Sequence, residues 1–153
     1  MFGKLVVVVC AAGLLAACET QSGAIMTPPL PMANTGTPGN ERAPVSYMVF
    51  FPLGSTVLSD QDQNTVAQAA QVFKTRPNAT ITVTGFADTV GSPSLNMALS
   101  QQRANVVKGL LVNNGVPAAA VTTAASGDTG LLVDTGPQTN QPKNRRVVIV
   151  INQ

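Results

Sequence analysis

An aspartate, an asparagine and an arginine share one short run of this chain, Gly85-Phe-Ala-Asp88-Thr-Val-Gly91-Ser-Pro-Ser-Leu95-Asn96-Met-Ala-Leu99-Ser100-Gln-Gln-Arg103-Ala104. Fifteen residues separate Asp88 from Arg103. Asp88 follows an apolar strand. Asn96, Ser100 and Arg103 stand at i, i+4 and i+7, so they share one face of the helix that comes next. A carboxylate and a guanidinium held together can grip a zwitterion: the carboxylate accepts from an ammonium, and the arginine fork donates to a carboxylate. The strand-to-helix connection is short. Asp88 is therefore expected near the helix N-terminus, where partial positive charge favours its ionised form. Arg103 reaches the same side only if that connection folds back. A solvated aspartate and an unrelated surface arginine satisfy the same spacing.

Several elements must position these groups. Ser46–Phe51 is aromatic and β-rich and reads as a strand. Ser59 is an N-cap, with Asp60 and Asp62 in a first helical turn, and Val66, Ala69, Ala70 and Phe73 repeat at helical spacing. Pro77 ends that helix. Thr80–Gly85 alternates like a half-buried strand. Ser92-Pro93 opens a second helix, and Asn114-Gly115 with Pro117 closes it. Its core stripe is read as Leu95, Leu99, Val106 and Leu110, with Asn96 and Arg103 outside the core. Val121–Ser126 is a third strand. A loop rich in Gly, Asp, Thr and Pro runs to Asn144, and Arg145–Ile151 is a strong apolar strand. The order β-α-β-α-β-β predicts an α/β (α+β) two-layer sandwich: one mixed sheet with the helices on one side.

Composition narrows the chemistry. Nine basic residues against seven acidic give a net charge of +2, too little for a nucleic-acid surface. The chain has no His, which removes the usual general base and a common metal ligand. Both cysteines precede residue 20, so the folded part has neither a disulfide framework nor a cysteine zinc site. Asp128-Thr-Gly130 and Asp134-Thr-Gly136 look like aspartic-protease turns. Such an enzyme needs two carboxylates sharing a proton, and two turns six residues apart on one loop do not readily form that dyad. No cofactor, metal site or catalytic residue is expected, and the chain is read as a non-enzyme.

The N-terminal region points to the envelope. Lys4 precedes Leu5–Ala17, thirteen apolar residues that are too few to span a bilayer comfortably and read as a secretory signal over residues 1–17. The segment ends Leu15-Ala-Ala-Cys18, which resembles the bacterial lipoprotein box. That resemblance implies cleavage before Cys18 and acylation of its thiol and new amino terminus. An ordinary signal peptide cut nearby is the other reading. Glu19, where Gram-negative lipoproteins kept at the inner membrane carry Asp, implies the outer membrane. Residues 18–44 form a Pro/Gly/Thr-rich linker with no apolar period, able to reach on the order of 80 Å when extended. The folded domain is expected over 45–153.

The run Gly-x-x-Asp-x-x-Gly, followed by Leu-Asn-x-x-Leu-Ser-x-x-Arg-Ala, resembles the signature of the OmpA-like family of peptidoglycan-binding domains. The closing Asn144-Arg145-Arg146-Val147 and the opening Phe51-x-x-x-Ser55-x-x-Leu58 are similar to the family's last and first strands. The resemblance implies that Asp88 engages the ammonium of a diaminopimelate residue in the peptide stem, and that Arg103 engages its carboxylate. Asn96 and one of Arg145 or Arg146 would add hydrogen bonds. An exposed basic pair at a strand start is the alternative for the two terminal arginines. The chain departs from the family at Phe86-Ala87, where His-Thr is usual, and at Gly54, where Asp is usual. The implied function is an outer-membrane lipoprotein, its domain facing the periplasm, that tethers the membrane to peptidoglycan. A periplasmic protein-interaction adaptor with a weakened wall site is the alternative.

Overall fold

A computed structural model of the chain describes residues 42–153. The signal segment, Cys18 and most of the linker lie outside the described residues. Four strands and two helices follow in the expected order: β1 (Val45–Phe50), α1 (Asp60–Lys74), β2 (Thr80–Gly85), α2 (Pro93–Asn113), β3 (Val121–Ala125) and β4 (Arg146–Asn152). A single 3₁₀ turn, Ala118–Ala120, leads into β3. Strand limits differ by one residue from those read in the sequence.

The sheet order is β1-β4-β2-β3. β4 runs antiparallel to both neighbours, and β2 runs parallel to β3. The sheet is therefore mixed, because β2 and β3 are joined through a helix and β1 and β2 flank the returning chain. Register aligns one apolar set across it: Val49 with Val147 and Gly85, Tyr47 with Ile149 and Val83, Val45 with Ile151 and Ile81. Both helices pack on this face and on each other, and Val66, Ala69, Ala70, Val107 and Leu111 complete the core. The opposite face carries Met48 and Phe50, both exposed, and the threonines of β2.

The caps are those expected. Ser59 accepts from the Asp62 amide at 3.2 Å, and Ser92 accepts from the Leu95 amide at 3.4 Å with Pro93 as the first helical residue. The register of α2 is not. Asn96, Ser100, Arg103, Ala104, Val107 and Leu111 face inward. Leu95 is 66% exposed and Val106 37%, while Leu99 and Leu110 are half-buried. The inward face is one continuous stripe, polar in its first half and apolar in its second. Hydrophobic periodicity selects the neighbouring stripe because it cannot see that the first half is buried against polar main chain.

The reason lies at the end of β2. Gly85 lies so close to α2 that a Cβ there would stand 2.0 Å from the Ser100 carbonyl oxygen. Ser100 then accepts from the Gly127 amide at 3.0 Å and donates to the Met97 carbonyl at 2.8 Å. Only a small hydroxyl side chain serves both the contact and the amide, so the first half of the helix docks on backbone polar groups instead of on aliphatic side chains.

Candidate functional site

Asp88 is carried on the segment between β2 and α2. This segment follows the sheet for a further residue, with the Phe86 amide donating to the Arg146 carbonyl at 2.9 Å. It then turns against the long β3–β4 loop, where the Ala87 amide donates to the Gly127 carbonyl at 2.6 Å. Thr89 and Gln138 clasp the loop. Thr89 Oγ1 donates to the Gly136 carbonyl at 2.7 Å, and the Gln138 side chain exchanges two hydrogen bonds with the backbone of Gly91, at 3.0 and 2.9 Å. Asn144 pins the same loop from its far end by pairing with both the amide and the carbonyl of Val133, each at 2.8 Å.

Asp88 is 3% exposed, and its Oδ2 accepts from Arg145 Nη1 at 2.9 Å and from the Gln141 amide at 3.3 Å. Arg145 is oriented by two further bonds, from Nε to the Phe51 carbonyl at 3.0 Å and from Nη1 to Asn140 Oδ1. The cation paired with Asp88 is thus Arg145, while the α2 N-terminus is capped by Ser92. The ion pair is buried and bonded on several sides, the condition under which such a pair is maintained. Asp88 Oδ1 has no protein donor among the described residues.

Arg103 does not stand beside Asp88 as an open fork. It has no exposed surface, and its guanidinium donates to three main-chain carbonyls: Nε to Ser55 at 2.9 Å, Nη1 to Phe86 at 3.1 Å and Nη2 to Pro52 at 3.1 Å. It also lies over the Phe51 ring, 5.1 Å from the centroid. Burial lowers its pKa from the ordinary arginine range to about 10, while nearby Asp88 pulls it up and Arg145 pushes it down. Arg103 thereby ties the β1–α1 loop to the segment that carries Asp88. Its expected place outside the core is corrected: this side chain is the largest fully buried one among the described residues.

The terminal arginines part company. Arg145 joins Asp88, whereas Arg146 lies over the Phe86 ring at 3.8 Å and donates to the Gly130 carbonyl at 2.9 Å. Burial lowers the pKa of Arg146. Neither forms the exposed basic pair that their place at a strand start allowed. Phe86 gives Arg146 a π face and so holds the β3–β4 loop. Asn96, 3% exposed, donates from Nδ2 to Asp128 Oδ2 at 3.3 Å. One of the two Asp-Thr-Gly aspartates is thus engaged by α2, and the other, Asp134, is exposed on the loop. Sequence reasoning put Ser100 on the Asn96–Arg103 face without giving it a role, and it missed Asn140 and the Gln141 amide. The Asn144-Arg145-Arg146 run was the available signal that the loop end belongs to the site.

Residues 50–145 match the OmpA family. The peptidoglycan-associated lipoprotein of Brucella melitensis is 32% identical over 123 residues, spanning 78% of this chain and 73% of that protein. An outer membrane protein of Gluconacetobacter diazotrophicus is 35% identical over 113 residues, which cover 70% of this chain but only 30% of that longer protein. The crystal structure of the peptidoglycan-associated lipoprotein from Burkholderia pseudomallei superposes with a TM-score of 0.63 at 30% identity, covering 68% of this chain and 88% of that one. The mixed four-stranded sheet with two helices, the Asp88 segment and the closing arginine strand lie within or beside the matched span, and the chain belongs to the OmpA family.

Proposed function

We propose that this chain is a lipoprotein of the outer membrane whose domain binds peptidoglycan non-covalently and tethers the membrane to the wall. The observation that carries this reading is the buried Asp88–Arg145 pair, in which one carboxylate oxygen is spent and the other has no protein donor among the described residues. A free carboxylate oxygen held on a rigid frame is an acceptor for an ammonium. The diamino acid of a peptide stem supplies one. Arg145, bonded to the other oxygen of the same carboxylate, is the cation we assign to the stem's carboxylate, with Asn96 adding an amide. Arg103 and Arg146 hold the loops that frame the pair. Relatives named as peptidoglycan-associated lipoproteins support the wall ligand and the envelope location. The residues serve binding and orientation, and no reaction step is assigned to them.

The lipid end at Cys18 and the linker complete the tether. Each buried CH₂ of an acyl chain contributes roughly 0.8 kcal/mol, so several chains anchor firmly. Tethering also raises the local concentration of wall ligand, and modest intrinsic affinity then suffices. The test is retention on purified sacculi. Asp88→Asn keeps the shape of the side chain and removes its charge, and it should weaken binding about tenfold to a hundredfold, the equivalent of one charge-assisted contact of roughly 1.5–3 kcal/mol. Equal retention of the variant and the wild type would reject wall binding through Asp88 and favour a protein-interaction adaptor.

A further inference from the structure

We propose that the β1–β4 strand pair is the mechanical joint of the tether, set in the direction in which paired strands resist force best. This inference rests on the wall-binding reading, because it takes the lipid end and the wall ligand as the two points of pull. The chain enters and the site stands at opposite poles of the sheet. Residues 1–41 join the described chain just before β1, whose first residue, Val45, pairs with Ile151. Gly85 lies at the other end of the strands, opposite Val147, and Asp88 follows it. Arg145 precedes β4 at that same end and is bonded to the chain leaving β1. The Phe51 amide donates to the Arg145 carbonyl at 2.9 Å, and Arg145 Nε donates to the Phe51 carbonyl at 3.0 Å. Entry and site are thus separated by the length of β1, six residues or about 20 Å.

A pull from the lipid end therefore draws β1 one way, while a ligand held by Asp88 and Arg145 draws β2 and β4 the other. Bonds between antiparallel strands stand perpendicular to the strands. Force along the strands loads the whole pairing, Val45–Phe50 against Arg146–Ile151, at once. Force across them loads only the end pair and opens the bonds in turn. Each bond contributes little by itself, so sharing the load decides the strength. Sliding β1 would also drag Tyr47 and Val49 through the core in which they pack. The entry itself is fastened. Arg76 Nη1 donates to the Ala43 carbonyl at 2.9 Å, and Arg42 Nη1 donates to the Thr75 carbonyl at 3.3 Å. These two arginines clasp the incoming chain to the end of α1, so a pull meets β1 lengthwise and does not peel its first residue away.

Gln153 supplies the control, because it follows β4 at the entry pole. The experiment is optical-trap pulling of the full, unacylated chain carrying Cys10→Ser, with DNA handles on two thiols. One handle is on Cys18. The other is on Lys143→Cys, an exposed position at the site end of β4, or on Gln153→Cys. The first arrangement shears β1 against β4, and the second peels them apart. Forced rupture reads the unfolding barrier, not the equilibrium stability that both forms share. At one loading rate the sheared form should rupture at several times the force of the peeled form. Equal forces, or a stronger peeled form, would overturn the inference and leave wall binding, read by retention on sacculi, standing. Failure of the full chain to bind sacculi would overturn the wall-binding reading, and with it the role of this strand pair in a tether, even with the two forces unequal.

Discussion

The two halves of the inward face of α2 do opposite jobs at the same helical spacing. Val107 and Leu111, in the second half, sit in the aliphatic core with Ile81, Ile149 and Ile151. Asn96, Ser100 and Arg103, in the first half, are buried as deeply, but against carbonyls, an amide and a carboxylate. The apolar half is stabilised by area removed from water, which is tolerant of shape. The polar half depends on every partner being in place, because a buried group without one costs more than the bond contributes. The site is framed by the intolerant half. This is consistent with a domain that places its rigidity where a ligand must be met and its bulk stability elsewhere.

The contrast can be broken most severely at the contact that forces the polar half into being. Gly85→Ala would drive a Cβ to within 2.0 Å of a helix carbonyl, an overlap that backbone cannot relieve by a rotamer change. We expect a loss beyond about 4 kcal/mol, or failure to fold, read as the denaturant midpoint or soluble yield. A stable, wild-type-like variant would show that β2 and α2 are not in that close approach.

A pair of substitutions, one in each half, sharpens the difference. Arg103→Met removes the donor from three carbonyls and should cost about 3 kcal/mol. Leu111→Ala should cost a similar amount, about 2–5 kcal/mol, through a cavity. Their consequences for binding should differ: folded Leu111→Ala keeps its hold on sacculi, whereas Arg103→Met loosens the loop that carries Asp88 and weakens it. Alkaline pH separates them again. The folded pKa of Arg103, about 10, lies below the ordinary arginine value it regains on unfolding, so between these values the unfolded chain binds more protons at this site. This group alone therefore makes stability rise with pH across that window. Arg103→Met should lose that contribution, and its midpoint should fall further than wild type between pH 9 and 11. Leu111→Ala should track wild type.

The smallest expected effect lies on the outer face of the same helix. Gly109 is exposed and has nothing within 4 Å of a Cβ. Gly109→Ala should raise stability by about 0.5–1 kcal/mol through helix propensity and leave sacculus binding unchanged. A destabilised variant would mean that this face has a contact the isolated chain does not show.

Much of the frame was legible in the sequence because it depends on local physics. Ser59 and Ser92 announce helix starts through their side-chain oxygens, and Pro77, Gly115 and Pro117 announce stops. Alternation in Thr80–Gly85 shows which side of β2 is buried. Element order then implies a mixed sheet, since helical crossovers join parallel strands and short returns join antiparallel ones. Asp88, Asn96, Arg103, Arg145 and Arg146 were also open to selection as candidates, from type, spacing and family resemblance.

Who pairs with whom was not. Asp88 meets Arg145 across 57 positions of chain, and Arg103 spends its fork on loops 48 and 51 positions away as well as on Phe86. Such partners are chosen by the packing of β4 between β1 and β2 and by the clasp of Thr89 and Gln138 on the β3–β4 loop, neither of which has a local signal. The register of α2 was decided the same way. Apolar residues mark a buried face only when the opposing surface is apolar, and here the close approach at Gly85 presents polar backbone to half of the helix. Sequence alone determined the elements and the chemical groups on offer. Tertiary structure decided which of those groups are spent inside the fold, because burial turns a neighbour of either polarity into a requirement.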